Sequence, residues 1–219
     1  KGQDFAGDFV VFDLETTGFS ALVDKVIEIG AVKIRNGEIV DRFSTFVNPK
    51  VPISFRIENL TGISDQMVMG SKTIEEILPE FLEFCEGCVM VAHNAEFDIG
   101  FIRENCRKEG LPFDPTYIDS LILAQNLLPE LTHFKLDVVA ERLKLPAFNH
   151  HRASDDGATV GYMLAPFFDM LRARGISRIQ EINEEMLKLR PLGKANRRPR
   201  HMIILAKNKL GMHNMYKLI

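Results

Sequence analysis

Asp13 and Glu15 stand two residues apart, directly after the apolar run Phe9-Val10-Val11-Phe12 and directly before Thr16-Thr17-Gly18. In an extended strand, residues two apart share a face, so the two carboxylates lie side by side while Leu14 turns the other way. Like charges held that close repel and raise one pKa unless a cation lies between them. A hard divalent cation with oxygen ligands answers that repulsion. A water-exposed acidic pair beside a turn is the plainer alternative. It fits less well, because a buried strand leads into the pair and Gly18 permits close backbone approach to a ligand.

Two more segments carry similar chemistry. His93-Asn94-Ala95-Glu96-Phe97-Asp98 sits at a strand-to-helix junction, where α/β proteins place ligands. Taken alone, Asp98 equally suits the positive end of a helix and Asn94 an N-cap. His150-His151-Arg152-Ala153-Ser154-Asp155-Asp156-Gly157 leads into another helix, with His151 and Asp156 spaced so that both can face one cleft. Asp156 is again cap-like in isolation. Together the three segments supply four carboxylates, an imidazole and small residues. That set suits two-metal in-line displacement at phosphorus, in which one ion activates water and the other stabilises the leaving 3′ oxygen. A histidine titrating near neutrality suits removal of the water's proton.

The elements that must position these groups are legible from pattern. The run from Phe9 to Phe12 reads as a buried strand, and Val26 to Ile34 as a second. Asn36-Gly37 signals a hairpin, because both turn positions need φ > 0. Glu38 to Val47 returns as a third strand before Asn48-Pro49. Thr73 with Glu76 makes a capping box ahead of Ile77, Leu78, Phe81 and Leu82, and Pro79 threatens a kink. Val89 to Ala92 reads as a parallel strand, Glu96 to Lys108 as a helix ending at Gly110, and Tyr117 to Asp119 as a short strand. Helices are expected over about 120–128, 135–143 and 154–172. A strand meander followed by alternating strands and helices predicts a mixed α/β sheet covered by helices.

Beyond residue 172 the pattern changes. Ser177 to Leu189 is a polar helix candidate, 191–200 has linker character, His201 to Ala206 reads as a strand and Gly211 to Ile219 as an uncapped helix. Residues 1–172 are acidic and 173–219 basic, around the run Lys194, Arg197, Arg198 and Arg200, which reads equally as a solvated linker or a DNA-facing stretch. The net charge of −3 marks no simple nucleic-acid footprint, but bound cations would invert the field of an acidic catalytic half. With 46% hydrophobic and 26% charged residues, the 219-residue chain is neither disordered nor membrane-like. It has no secretory signal, and its first residue is not Met, as expected for a piece of a longer protein. The three cysteines show no disulfide framework, and the pair Cys85 and Cys88 is expected as buried free thiols in a cytoplasmic setting.

The segments FDLETTG, HNAEFD and H-x4-D resemble motifs I, II and III of the DEDDh 3′→5′ exonucleases, in order and spacing, over about residues 8–172. Arg152 stands where the sister subgroup has tyrosine, so the histidine subgroup is the one resembled. The resemblance implies a ribonuclease H-like fold, two Mg²⁺ (or Mn²⁺) ions, and release of 5′-mononucleotides. It implies Asp13, Glu15, Asp98 and Asp156 as metal ligands and His151 as general base, with His150 and Asp155 as competing neighbours. Thr16, Thr17 and Gly18 would lie under the terminal nucleotide, and Asn94 would touch its phosphate or sugar. Leu60 or Phe97 would wedge the base, or simply pack, and Arg152 would meet phosphate or solvent.

Within the family, the chain resembles the exonuclease domain of PolC-type DNA polymerase III alpha subunits. The stretch Ile57 to Ile63 is similar to its substrate loop. Residues 199–208 and 211–218 resemble the place where the polymerase's PHP domain resumes. The expected organisation is an exonuclease domain over 1–172, then linker and partial PHP segment over 173–219. Expected partners are a single-stranded DNA 3′ end or frayed primer terminus and the remainder of a DNA polymerase III chain, with no membrane. Rival expectations are a free-standing DNA-repair or RNA exonuclease of the same family, and a non-catalytic binding module retaining the fold.

Overall fold

The computed structural model describes residues 4–145 and 153–183, and for 154–156 the backbone alone. The expected linker, strand and helix beyond residue 190, the basic run, His150, His151 and Arg152 lie outside the described residues.

Apolar patterning builds a five-stranded sheet of order β3-β2-β1-β4-β5. Strands β1 (Phe9–Thr16), β2 (Val26–Arg35) and β3 (Glu38–Phe46) form the antiparallel meander. The hairpin turn falls where expected, with Asn36 at φ 53° and Gly37 at φ 81°. Strands β4 (Val89–Ala92) and β5 (Tyr117–Asp119) add in parallel. The expected mixed sheet is therefore present. β1 runs further than its apolar opening predicted, carrying Asp13 and Glu15 inside the strand rather than at its end.

Between β3 and β4 lie α1 (Phe55–Thr61), α2 (Asp65–Val68) and α3 (Ile74–Cys85). The stretch from Ile57, expected as a loop, begins within a short helix. Ser54 Oγ accepts from Ile57 N at 3.4 Å, and Gly62 closes the helix at φ 71°. In α3, Thr73 N–H donates to Glu76 Oε2 at 2.8 Å as the capping box requires. Pro79 lies inside that helix without ending it. Then follow α4 (Ala95–Glu109), closed by Gly110 at φ 66°, α5 (Ser120–Leu127), α6 (Leu136–Arg142) and α7 (Ala153–Arg172). Residues 179–183 are helical, as the polar helix candidate predicted for its first part.

The helices divide between the two sheet faces. Val10, Phe12 and Leu14 point into a core with Ile77, Leu78 and Phe81 of α3 and Ile99 and Ile102 of α4. There the rings of Phe12 and Phe81 lie 5.6 Å apart. The opposite face of β1 meets α7, where Phe9 lies 5.2 Å from Phe168 and Phe168 stacks on Phe5 at 4.4 Å. A compact unit runs from Lys1 to Leu187, so residues 173–183 belong with the sheet; Ile176, Ile179 and Ile182 are buried. Cys85 and Cys106 are buried free thiols, pushed by burial up to about 12 and about 11, while Cys88 is only half-buried.

Candidate active site

β1 outruns its neighbour. Its last partner on β4 is the pair Val11–Val91, whereas its pairing with β2 continues to Thr16, with an irregularity between Glu15 and Thr16. Among the described residues, no strand covers that edge along the far half of β1, and buried backbone N–H groups there need acceptors. Asp98, in the first turn of α4, supplies one: its Oδ1 accepts from Leu14 N at 3.1 Å. That bond, between residues 84 positions apart, sets the motif II carboxylate beside the motif I pair. Asp13 and Glu15 are half-buried on the shared face, with Leu14 buried behind them.

Asp98 is only 2% exposed. Burial pushes its carboxyl well above the ordinary carboxylate range. The N–H groups of Leu14 and of Asp98 itself pull the other way, and the negative charges of Glu15 and Asp119 add to the rise. An all-oxygen donor set under that strain fits a hard divalent cation. Among the described residues, no three His, Cys, Asp or Glu side chains are gathered as a metal cage. Asp156, the fourth of the set, is described by its backbone alone.

That backbone lies near the pair. A Cβ on Gly157 would stand 3.3 Å from Gly30 O and 3.5 Å from Val11 O, so a larger residue would have to push α7 and the strands apart by a few tenths of an ångström. Gly30 is the register partner of Asp13. The first turn of α7, which includes Asp156, therefore starts at the level of the motif I carboxylates.

The model of the exonuclease family matches residues 10–164. The chain belongs to the exonuclease family. It is 44% identical over 213 residues to the PolC-type DNA polymerase III of Caldanaerobacter subterraneus subsp. tengcongensis, covering 97% of this chain and 15% of that protein. Exonuclease X, solved in complex with 5′ overhanging duplex DNA, has a TM-score of 0.62 at 27% identity, covering 83% of this chain and 98% of that one. The nuclease domain of 3′hExo, a DEDDh family member bound to rAMP, has a TM-score of 0.63 at 20% identity, covering 77% and 93%, and it speaks for the fold. The chain has the ribonuclease H-like fold of these exonucleases, a mixed sheet flanked by helices.

In this exonuclease the other residues singled out from sequence take varied positions. Thr16 is buried and donates from Oγ1 to Gly18 O at 2.6 Å; Thr17 Oγ1 accepts from Lys25 N at 2.9 Å. Thr17 thus ties the strand end to the returning chain, while the Thr16 side chain closes the local turn. Gly18 has a local reason for being glycine, since a Cβ there would meet the Asp24 carboxylate at 2.5 Å. Asn94 makes no side-chain cap; it adopts φ 69° and its N–H donates to Asp119 Oδ1 at 3.1 Å. Phe97 is half-buried, 5.0 Å from the Phe101 ring and 6.4 Å from the exposed Phe19. Leu60 is 48% exposed on α1.

Three residues not singled out from sequence also shape the site. His93 hydrogen-bonds Ser120 Oγ at 3.0 Å and Phe134 O at 2.8 Å, and burial holds its pKa below the usual value. It is a structural clamp on the motif II turn. Asp119 caps α5 through Leu121 N at 2.9 Å while holding Asn94 N. Glu28, inside an apolar strand, is the third. No helix among the described residues is long and apolar enough to cross a membrane.

Proposed function

We propose that this chain is the 3′→5′ proofreading exonuclease part of a PolC-type replicative DNA polymerase III, releasing 5′-mononucleotides from a single-stranded or frayed 3′ end. The observation that carries the catalytic reading is the Leu14–Asp98 hydrogen bond, which joins the carboxylates of motifs I and II at one strand end. For the parent protein, the support is that 97% of the chain aligns with 15% of a PolC-type polymerase. The chain spans about 15% of the length of such relatives, and the linker and resumed PHP segment expected from residue 173 are read as starting beyond the compact unit, over 188–219, because 173–183 belong with the sheet. The reading carries with it a cytoplasmic location.

Asp13, Glu15, Asp98 and Asp156 would hold two divalent ions, Mg²⁺ or Mn²⁺. When bound, those ions supply an acidified water and a counter-charge for the departing 3′ oxygen. Asp98, fixed by the Leu14 amide, keeps one carboxylate oriented without needing to reorganise. His151 takes the water's proton on a ring nitrogen. Thr16, Thr17, Gly18 and Asn94 line the approach of the terminal nucleotide, and Leu60 or Phe97 separates its base from the next. A mispaired end reaches the site more readily, because less base pairing must be given up.

Mononucleotide release from 3′ ends of matched DNA and RNA oligomers, with Mg²⁺ and after chelation, tests this reading. The expected outcome is Mg²⁺-dependent release that favours DNA and is faster from a mismatched primer end. Preference for RNA would favour the free-standing RNA exonuclease, and absence of release the binding module.

A further inference from the structure

Glu28 is a charged residue in the apolar stretch Val26-Ile27-Glu28-Ile29, and it is 1% exposed. Burying a carboxylate is costly unless it is hydrogen-bonded, so an apolar side chain would serve packing better. Glu28 is the register partner of Glu15, which puts both on the sheet face that α7 covers. Its Oε2 accepts from Ala153 N at 3.3 Å, linking β2 to the first residue of α7 across 125 positions.

One helical turn further on, Gly157 rests on Gly30 O. The start of α7 is thus fixed at two heights: by a carboxylate at residue 153 and by backbone contact at residue 157. Further along, α7 is held by Phe168 against Phe9 and by Gly161 beside Ile34. The Glu28 bond adds a hold at the helix's first residue, on the far side of the turn that carries Asp156.

We propose that Glu28 is a positioning residue of the exonuclease: by accepting from the Ala153 amide, it holds the first turn of α7, which carries Asp156, at the level of Asp13. The inference rests on the role proposed above for Asp156. Glu28 acts through the helix and not on the reacting atoms.

The test pairs Glu28→Gln, which keeps an acceptor oxygen, with Glu28→Met, which keeps the volume and removes the acceptor. Each is measured by kcat and KM on single-stranded DNA with Mg²⁺, by thermal midpoint, and by hydrogen exchange at the Ala153 amide. Glu28→Met should lower kcat about 10–100-fold, in the range seen when outer partners of a metal site are removed. KM for DNA should hold, and Ala153 exchange should speed up. Glu28→Gln should restore slow exchange and most of kcat. Wild-type kcat in Glu28→Met, or an equal loss in Glu28→Gln, overturns the proposal. Should Glu28→Met fail to fold, Ala153→Pro deletes the donor at a first helical position that tolerates proline. That variant should show the same fall in kcat, and full activity in it would overturn the tether. If the wild-type chain releases no nucleotide, the proposed reaction fails by itself. The tether is then judged by exchange at Ala153, slow in wild type and Glu28→Gln, fast in Glu28→Met; equal rates in all three would overturn it.

Discussion

The two faces of β1 carry different work on one backbone. On one face, Val10, Phe12 and Leu14 close an apolar core with α3 and α4. On the other, Phe9 and Val11 pack beneath α7, but the next two positions are Asp13 and Glu15. The apolar face holds the strand rigid, so the acidic face can keep two repelling carboxylates in fixed positions. Rigidity on one side allows electrostatic strain on the other. Asp98 joins the two, since it starts the helix that packs on the apolar face while its carboxylate reaches the strand's edge.

Substitutions on either face should separate these functions. Asp13→Ala and Asp156→Ala are expected to reduce mononucleotide release to background with the thermal midpoint kept. Phe12→Ala, one position from Asp13, should instead cost about 3–5 kcal/mol of stability, as large-to-small changes in a packed core do. Chemical denaturation beside the release assay reads both, and activity surviving in Asp13→Ala would break the contrast. Next in size, His151→Ala should slow hydrolysis by about 10²–10⁴-fold, the range for loss of a general base, while calorimetric Mg²⁺ binding stays nearly unchanged. If His150→Ala causes that loss instead, the base belongs one residue earlier.

A finer contrast lies along α7. Gly157→Ala sets a Cβ against the backbone oxygen of Gly30, which cannot rotate away, whereas Gly161→Ala meets the far end of the Ile34 side chain. The first should lower kcat by shifting the turn that carries Asp156, and the second should leave kcat near wild type. Equal effects from the two would show that close approach at Gly157 does not set the site.

The meander, the Asn36-Gly37 hairpin and the helix ending at Gly110 were legible because each is signalled by its own neighbours. The capping box of Thr73 and Glu76 was legible for the same reason, and the helix it starts continues through Pro79. The spacing of motifs I and II also reads directly. What did not read were long-range consequences. Nothing near Leu14 says that β4 ends early and leaves its amide to Asp98. Glu28 hides in an apolar run, and its partner is 125 residues away. Gly18 looked like room for a ligand, while the nearer cause is the Asp24 carboxylate folded against it. The short helix at Phe55–Thr61 depends on the caps Ser54 and Gly62 more than on any apolar period, so it passed for a loop.

Asp98 offers the most direct test, because its structural and chemical roles can be parted in one substitution. Asp98→Asn keeps a carbonyl oxygen for the Leu14 amide and removes only the charge, relieving a buried carboxylate. Release of 5′-mononucleotides from single-stranded DNA with Mg²⁺, measured with the thermal midpoint, should show a variant as stable as wild type or more so, with activity lost. Full activity in Asp98→Asn would contradict the account, leaving Asp98 as a residue that merely completes the strand edge.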